Sequence, residues 1–365
     1  MSAKRRMNPE KNDRLLRALL IVLLALVIIA GGLYLFVQVK LGAINRLEPE
    51  EYTEASVEEV STPIAVDWGE AKVATSVDGV VNVLLVGQDS RTGKRERSDT
   101  MILLSINKNS SQLTMVSLMR DLYVQIPGYG GRKLNAAYQL GGFDLLDQTI
   151  SENFGVVVDY NVEVDFTGFK DIVNALGGVD VELSKEEVDY LRGGGKAYTH
   201  GRSYDVKEGV NHLDGKAALD YARARHVEGA ADFGRTQRQR KLLKIIYKSL
   251  GGASWLKLLG VYDSVADNIT TDMNNTQILS IAFSAYTMGK KDINSYRIPA
   301  SGMYYGADFG GELNSMLVPN DWDETRQLLQ DYLYSDDGGR AAFAAVEEKY
   351  GSQGSMDDQS IISDN

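Results

Sequence analysis

VVNVLLVGQDSRTGKRERSDTMILLSIN, residues Val80–Asn107, sets two apolar runs on either side of a polar, turn-rich piece. Each run is short, rich in branched residues and bounded by glycine or polar residues, which is the composition of a buried strand. Val80–Gly87 and Met101–Asn107 therefore read as strands, and LTMVSL (Leu113–Leu118) as a third. The piece between the first two places Asp89 just after one strand and Asp99 just before the next, so two carboxylates converge at one edge of a sheet. Hard oxygen donors of this kind, completed by water and phosphate oxygens, are what Mg²⁺ needs. A charged surface hairpin is the plain alternative.

Downstream the period changes. FDLLDQTISENFG and FTGFKDIVNALGG carry helical spacing, the second with Asp165 as start signal and Gly177 as stop. VDYNVEVD between them reads as another strand. LDGKAALDYA is a helix expected to end near Ala222, and GRTQRQRKLLKIIYKSL is a strongly amphipathic one. The alternation continues through DMNNTQILSIAFSAYTMG, INSYRIPA and WDETRQLLQDYLY. The fold class is α/β: a layered domain over 80–335 with helices on both faces of its sheet.

Upstream, Ala18–Val37 is an uncharged run of twenty residues. As a helix it spans ~30 Å, the depth of a bilayer core. Lys4, Arg5, Arg6, Lys11, Arg14 and Arg17 precede it against Glu10 and Asp13, which keeps residues 1–17 in the cytoplasm and puts the domain outside. LGAIN is a poor cleavage site, so 18–40 reads as an uncleaved signal anchor rather than a removable signal peptide. Residues 41–79 are acidic without a clear period and read as a linker. Residues 336–365 read as an acidic disordered tail.

The formal net charge is −11, and because the N-terminal segment is basic, the remainder is more acidic still. That argues against a nucleic-acid surface, which needs a basic footprint. There is no cysteine, which removes disulfides, zinc thiolates and thiol nucleophiles. His200, His212 and His226 lack metal-ligand spacing, and neither a GxSxG elbow nor an HExxH helix is present.

Against this acidic background, arginines recur in short polar phrases: Arg97 in RSDT, Arg120 in SLMRD, Arg223 and Arg225 in YARAR, Arg235 in DFGRTQRQ. Guanidinium is always charged and its planar fork matches phosphate oxygens two at a time, so the set points to a multiply charged anion. Arg223 and Arg225 face one site only where the chain leaves its helix, whereas Arg235 and Gln239 share a helical face with Arg238 beside them. Asp232 precedes that helix, and an N-cap is its plain role.

Taken in order, VNVLLVGQDS, RSDTMILLSIN, SLMRDLYVQIPG, KLNAAYQLGG, VDFTGFKDIVNALGGVDVEL, LDGKAALDYARARH and DFGRTQRQRKLL resemble the LytR-CpsA-Psr family. The resemblance implies an α-β-α sandwich whose long apolar pocket takes a polyprenyl chain, with arginines at its mouth for the pyrophosphate. It implies an Mg²⁺-assisted (or Mn²⁺-assisted) phosphotransferase that moves a teichoic acid, capsule or other wall glycan from polyprenyl pyrophosphate to the C6 hydroxyl of N-acetylmuramic acid in peptidoglycan. Carried over by position, Asp89 and Asp99 match the metal carboxylates, and Arg97, Arg120, Arg223, Arg225, Arg235 and Gln239 the pyrophosphate set. Arg97, Arg223 and Arg225 would also assist catalysis, and Asp232 matches the proposed base, acting as such or orienting the acceptor hydroxyl. Met119 stands where family members often carry proline. A membrane-attached regulator, a binding protein for lipid-linked intermediates and a polyprenyl-pyrophosphate hydrolase are the rival functions.

Overall fold

A computed structural model describes residues 36–42, 44–46, 66–69, 73–88, 98–194, 201–224, 227, 231–288, 292–308, 310 and 313–351. Residues through Ile44 form one unit, in which 36–41 are helical, and Asn45–Asn365 form the second. The anchor expected over 18–40 lies outside the described residues up to position 35. Among those described, no helix is long and apolar enough to cross a membrane.

The second unit is built on a mixed seven-stranded sheet of order β1-β10-β7-β2-β3-β4-β11. Its strands are β1 (Asn45–Arg46), β2 (Val80–Gln88), β3 (Thr100–Asn107), β4 (Gln112–Leu118), β7 (Tyr160–Asp165), β10 (Ile269–Thr271) and β11 (Asn294–Ile298). β2, β3 and β4 form an antiparallel meander, while β7 joins β2 and β11 joins β4 in parallel. The strands expected at Val80, Met101 and Leu113 are the central three. Two-stranded ribbons flank them: β5 (Tyr123–Ile126) with β6 (Gly130–Lys133), β8 (Val179–Leu183) with β9 (Gly209–Leu213), and β12 (Tyr304–Ala307) with β13 (Met316–Pro319).

Strand alternation sends the side chains to two cores. On one face Leu84, Val86, Leu103 and Val116 pack beneath α1 (Leu134–Phe154), α8 (Trp322–Tyr334) and α9 (Arg340–Tyr350), through Leu146, Ile150, Trp322 and Leu329. On the other, Ile102, Ile106 and Met115 meet Leu243 and Tyr247 of α5 (Ala231–Gly251) and Ile281 of α7 (Asn275–Thr287). Complete burial of each such side chain is worth about 1.5–3 kcal/mol. A third core joins α2 (Phe166–Ala175), α3 (Lys185–Asp189), α4 (Gly215–Ala222) and α6 (Trp255–Val265) to β8 and β9. Helices thus cover both faces, as expected.

The local signals read correctly at several ends. Asp165 caps α2, accepting from Gly168 N at 2.7 Å, and Gly177 follows it at φ +86°. α4 ends at Ala222. Three expectations are corrected. α1 begins at Leu134, nine residues before FDLLDQ, and bends at Gly141 and Gly142, where φ/ψ of 62°/−150° at Gly142 suits glycine. The linker is not featureless: Asn45–Arg46 pairs with Thr270–Thr271, and Trp68 lies 5.3 Å from the Tyr123 ring and 5.6 Å from Trp322. Within the supposed disordered tail, Arg340–Tyr350 is helical, because Phe343, Val346 and Tyr350 fall three and four apart and lay an apolar stripe on the first core. Residues 352–365 lie outside the described residues.

Candidate active site

The ends of β2, β3 and β4 and the first turn of α5 meet at one point. Asp99 stands immediately before β3, its N–H donating to Gly87 O of β2 at 3.3 Å. Arg120 leaves β4 two residues after Leu118, and the start of α1 fixes it through Asn135 N donating to Arg120 O at 3.2 Å. Asp232 and Arg235 lie in the first two turns of α5. Asp232 is thus inside the helix rather than its N-cap, where a carboxylate still favours the positive end of the helix dipole.

Arg120 is the hub. Its Nη1 donates to Asp99 Oδ1 at 2.6 Å, its Nη2 to Asp232 Oδ2 at 2.8 Å and its Nε to Asp121 Oδ2 at 3.2 Å. Lys133 Nζ holds the other oxygen of Asp121 at 2.8 Å. Arg235, buried to 3% exposure, approaches Asp232 Oδ1 at 3.3 Å and Asp99 Oδ1 at 3.8 Å. Among the described residues, three cations and three carboxylates therefore interlock in one cluster. Burial opposes the charge of Arg120, yet Asp232, Asp121 and Asp99 together raise its pKa above the ordinary arginine value. Burial pushes the Asp121 carboxyl up, but the Lys133 hydrogen bond and the Arg120 charge outweigh it and hold Asp121 below the usual carboxylate range.

An apolar pocket opens beside this cluster. Gly87 and Thr100, the neighbours of Asp99, line one part of it, and Leu85, Ile102, Phe169 and Leu243 line the rest. The Arg223 guanidinium lies 4.4 Å from the ring centroid of Phe166, another wall residue, which puts it on the pocket rim. Gln239 also lines the pocket, and among the described residues its buried Oε1 has no hydrogen-bond partner. Such an orphaned acceptor in an apolar wall costs free energy unless a ligand donor reaches it. Met119 takes up the strand end without a proline, buried with its sulfur 3.9 Å from the Thr236 hydroxyl on α5.

Of the residues singled out in the sequence, Asp99, Arg120, Asp232 and Arg235 come together, and Arg223 and Gln239 stand at the adjoining pocket. Asp89, Arg97 and Arg225 lie outside the described residues, as do His200 and His226. His212 is surface structure: its exposed ring contacts Asp180 at 2.7 Å and Gly177 O at 2.8 Å. Asp121 and Lys133 escaped the sequence reading. Asp121 was visible beside Arg120, but Lys133 reaches it only through the β5–β6 ribbon. Arg297 of INSYRIPA was also missed. It is 1% exposed, close to the site, and its guanidinium lies 4.1 Å from the Phe233 ring.

A mixed sheet between helical layers, with a cluster of paired charges beside an apolar pocket, defines a class of α/β protein with a polar site and an apolar site side by side. The LytR_cpsA_psr family profile matches residues 43–317, and the chain belongs to that family. It is 29% identical over 262 residues to the regulatory protein MsrR of Staphylococcus aureus strain COL, covering 71% of this chain and 76% of that one. It is 31% identical over 294 residues to the polyisoprenyl-teichoic acid–peptidoglycan teichoic acid transferase TagU of Oceanobacillus iheyensis, covering 77% and 84%. Among solved structures it resembles the LytR-CPS2A-psr family protein YwtF (TagT) with bound octaprenyl pyrophosphate lipid, with a TM-score of 0.53 and 26% identity over 80% of this chain and 99% of that one. With family membership established and relatives named as transferases, the chain is an enzyme of the transferase class.

Proposed function

We propose that the chain transfers a phosphorylated wall glycan from a polyprenyl pyrophosphate carrier to the C6 hydroxyl of N-acetylmuramic acid in peptidoglycan. The observation that carries this reading is the adjacency of the Arg120–Asp232–Arg235 cluster to the apolar pocket. One part suits a pyrophosphate and the other a prenyl tail, and a relative holds octaprenyl pyrophosphate.

In this reading the pocket takes the tail, while Arg120, Arg223 and Arg235 bind the pyrophosphate oxygens with Arg97, Arg225 and Gln239. The acceptor hydroxyl attacks the phosphorus that bears the glycan, a new oxygen–phosphorus bond forms, and the bond to the bridging oxygen breaks. Polyprenyl phosphate leaves, and the hydroxyl proton passes to Asp232 or to water that Asp232 orients. Fixed guanidinium groups stabilise the charge spreading onto the phosphoryl oxygens, so no protein nucleophile is needed. Asp99, 35% exposed and a hard oxygen donor, fits Mg²⁺ or Mn²⁺ as one ligand, with Asp89 as its expected partner. A divalent ion held there would neutralise pyrophosphate charge.

The basic N-terminus and the apolar run of the sequence support a location on the cell membrane with this domain outside, facing peptidoglycan rather than nucleic acid. The test is release of polyprenyl phosphate from a lipid pyrophosphate glycan, with the glycan recovered on a muramyl acceptor. Release that needs water alone would make the enzyme a hydrolase. Tight donor binding with no release would make it a carrier protein.

A further inference from the structure

The charged cluster and the pocket account for one reactant. A transferase must also seat a second, and the pocket occupies the sheet face covered by α5 and α7. Next to Asp232 in sequence, Phe233 turns the other way and packs against the core of the opposite face. Its ring lies 5.5 Å from that of Tyr304 at an interplanar angle of 36°. Both rings are only half-buried, which leaves aromatic surface open beside Asp232.

The pair is firmly mounted. The Arg297 guanidinium lies 4.1 Å from the centroid of the Phe233 ring and itself donates to Ser301. Tyr304 belongs to the β12–β13 hairpin, and that hairpin is pinned to the charged cluster by Leu317 N donating to Asp121 O at 2.9 Å. Asn320 N to Met303 O at 2.8 Å closes the base of the hairpin. Two aromatic rings, one from the helix that carries Asp232 and one from a hairpin tied to the neighbour of Arg120, are thus held at fixed distance from the reacting groups.

We infer that Phe233 and Tyr304 form a platform for a pyranose ring of the acceptor glycan, seated so that its hydroxyl meets Asp232. This rests on the transfer reading above. A pyranose presents an apolar C–H face, which packs on the electron-rich face of an aromatic ring while its hydroxyls stay free for hydrogen bonds. The same chemistry would fit the first sugar of the donor. The acceptor is the better match, because the platform lies across the sheet from the pocket that takes the donor tail.

The experiment uses the full chain in detergent, with a lipid pyrophosphate glycan as donor and a soluble muramyl glycan fragment as acceptor. Tyr304→Leu is expected to raise the acceptor KM about tenfold, with kcat and donor affinity unchanged, the scale of one lost aromatic contact. Tyr304→Phe keeps the ring and should keep the wild-type KM, which a merely structural loss would not predict. Tyr305→Ala, on the opposite side of β12, should also leave it unchanged. A fall in donor affinity with the acceptor KM held, or no change in either, overturns the proposal. Saturation-transfer NMR of the muramyl fragment on the unmodified protein tests the platform independently of turnover and of whether Tyr304→Leu folds. Saturation of its ring protons from aromatic side chains, present in the wild type and lost on Phe233→Leu, supports the platform, and its absence in the wild type overturns it. Lack of turnover in the wild type, with that saturation present, would count against the transfer reading and not against the platform.

Discussion

Replacing Arg120 by methionine should destabilise the domain and abolish transfer, and the size of the first effect follows from the geometry. The guanidinium meets three carboxylates at 2.6, 2.8 and 3.2 Å. Near a protein surface each such attraction is worth about 4 kcal/mol before desolvation is counted. Much of that is offset by stripping water from an arginine whose side chain is 19% exposed. The contact to Asp99, itself 35% exposed, adds least. Loss of the hub leaves Asp99, Asp121 and Asp232 facing one another with Lys133 and Arg235 as the remaining cations of the cluster among the described residues, for a net cost of about 2–3 kcal/mol. For a domain of this size that lowers Tm by roughly 4–10 °C. The loss also depends on pH. The Asp121 pKa is lowered in the fold, so its stabilising contribution is present above the usual carboxylate range and is lost as pH falls through its depressed value. Arg120 is one cause of that depression, so the gap between wild type and variant is widest near neutrality and narrows in acid. Urea unfolding of both proteins at about pH 7 and about pH 2, below the depressed value, measures it. An equal loss at both values, or no loss at neutrality, refutes the assignment of Arg120 as the electrostatic hub.

Arg223→Lys should reduce polyprenyl phosphate release far more than donor affinity, because lysine keeps the charge and loses the fork; equal losses in the two would mean that Arg223 only holds substrate. Asp147 has its carboxyl pushed up to about 7 by burial, with Asp272 and Asp144 adding to the shift against the Asn161 hydrogen bond. A raised carboxylate pKa means that stability falls as pH rises from the ordinary carboxylate value towards about 7. Asp147→Asn should therefore flatten the pH–stability profile over that window and be more stable than wild type above it, and an unchanged slope would rule this out. Trp68→Ala should lower stability by about 2 kcal/mol through loss of its contacts with Tyr123 and Trp322, as read by chemical denaturation. A neutral result would return the segment to the status of a free linker.

The central sheet was legible because β2, β3 and β4 are buried on both faces and carry unbroken apolar runs, a pattern that leaves little alternative to strands. The charged site was legible for a different reason. Arg120, Asp232 and Arg235 stand in short polar phrases inside apolar surroundings, and only a shared partner explains charged residues there. What was missed depends on distant partners. Asn45 and Arg46 become a strand only because β10 presents an edge, which no local period announces. Trp68 is a lone aromatic in an acidic stretch, and its value comes from Trp322, far along the chain. Arg340–Tyr350 lies in a stretch taken for a small, acidic tail, and its stripe at Phe343, Val346 and Tyr350 gains meaning only against α8 and the first core. Lys133 joins the site because β6 returns beside Asp121, a fact of the ribbon rather than of the sequence around it.

The balance of charge in the cluster sets how a donor arrives. Among the described residues, Arg120, Arg235 and Lys133 each already touch one or more of Asp99, Asp121 and Asp232, so these cations are paired before a ligand arrives. Exchanging such a carboxylate for a phosphate oxygen gains little until the pyrophosphate is at contact range. Capture then begins with partition of the tail into the apolar pocket, and the pyrophosphate afterwards exchanges places with carboxylates at contact range. In the proposed reading donor affinity should accordingly depend strongly on prenyl length, so the carrier is selected by its oil-soluble end before its charge is read.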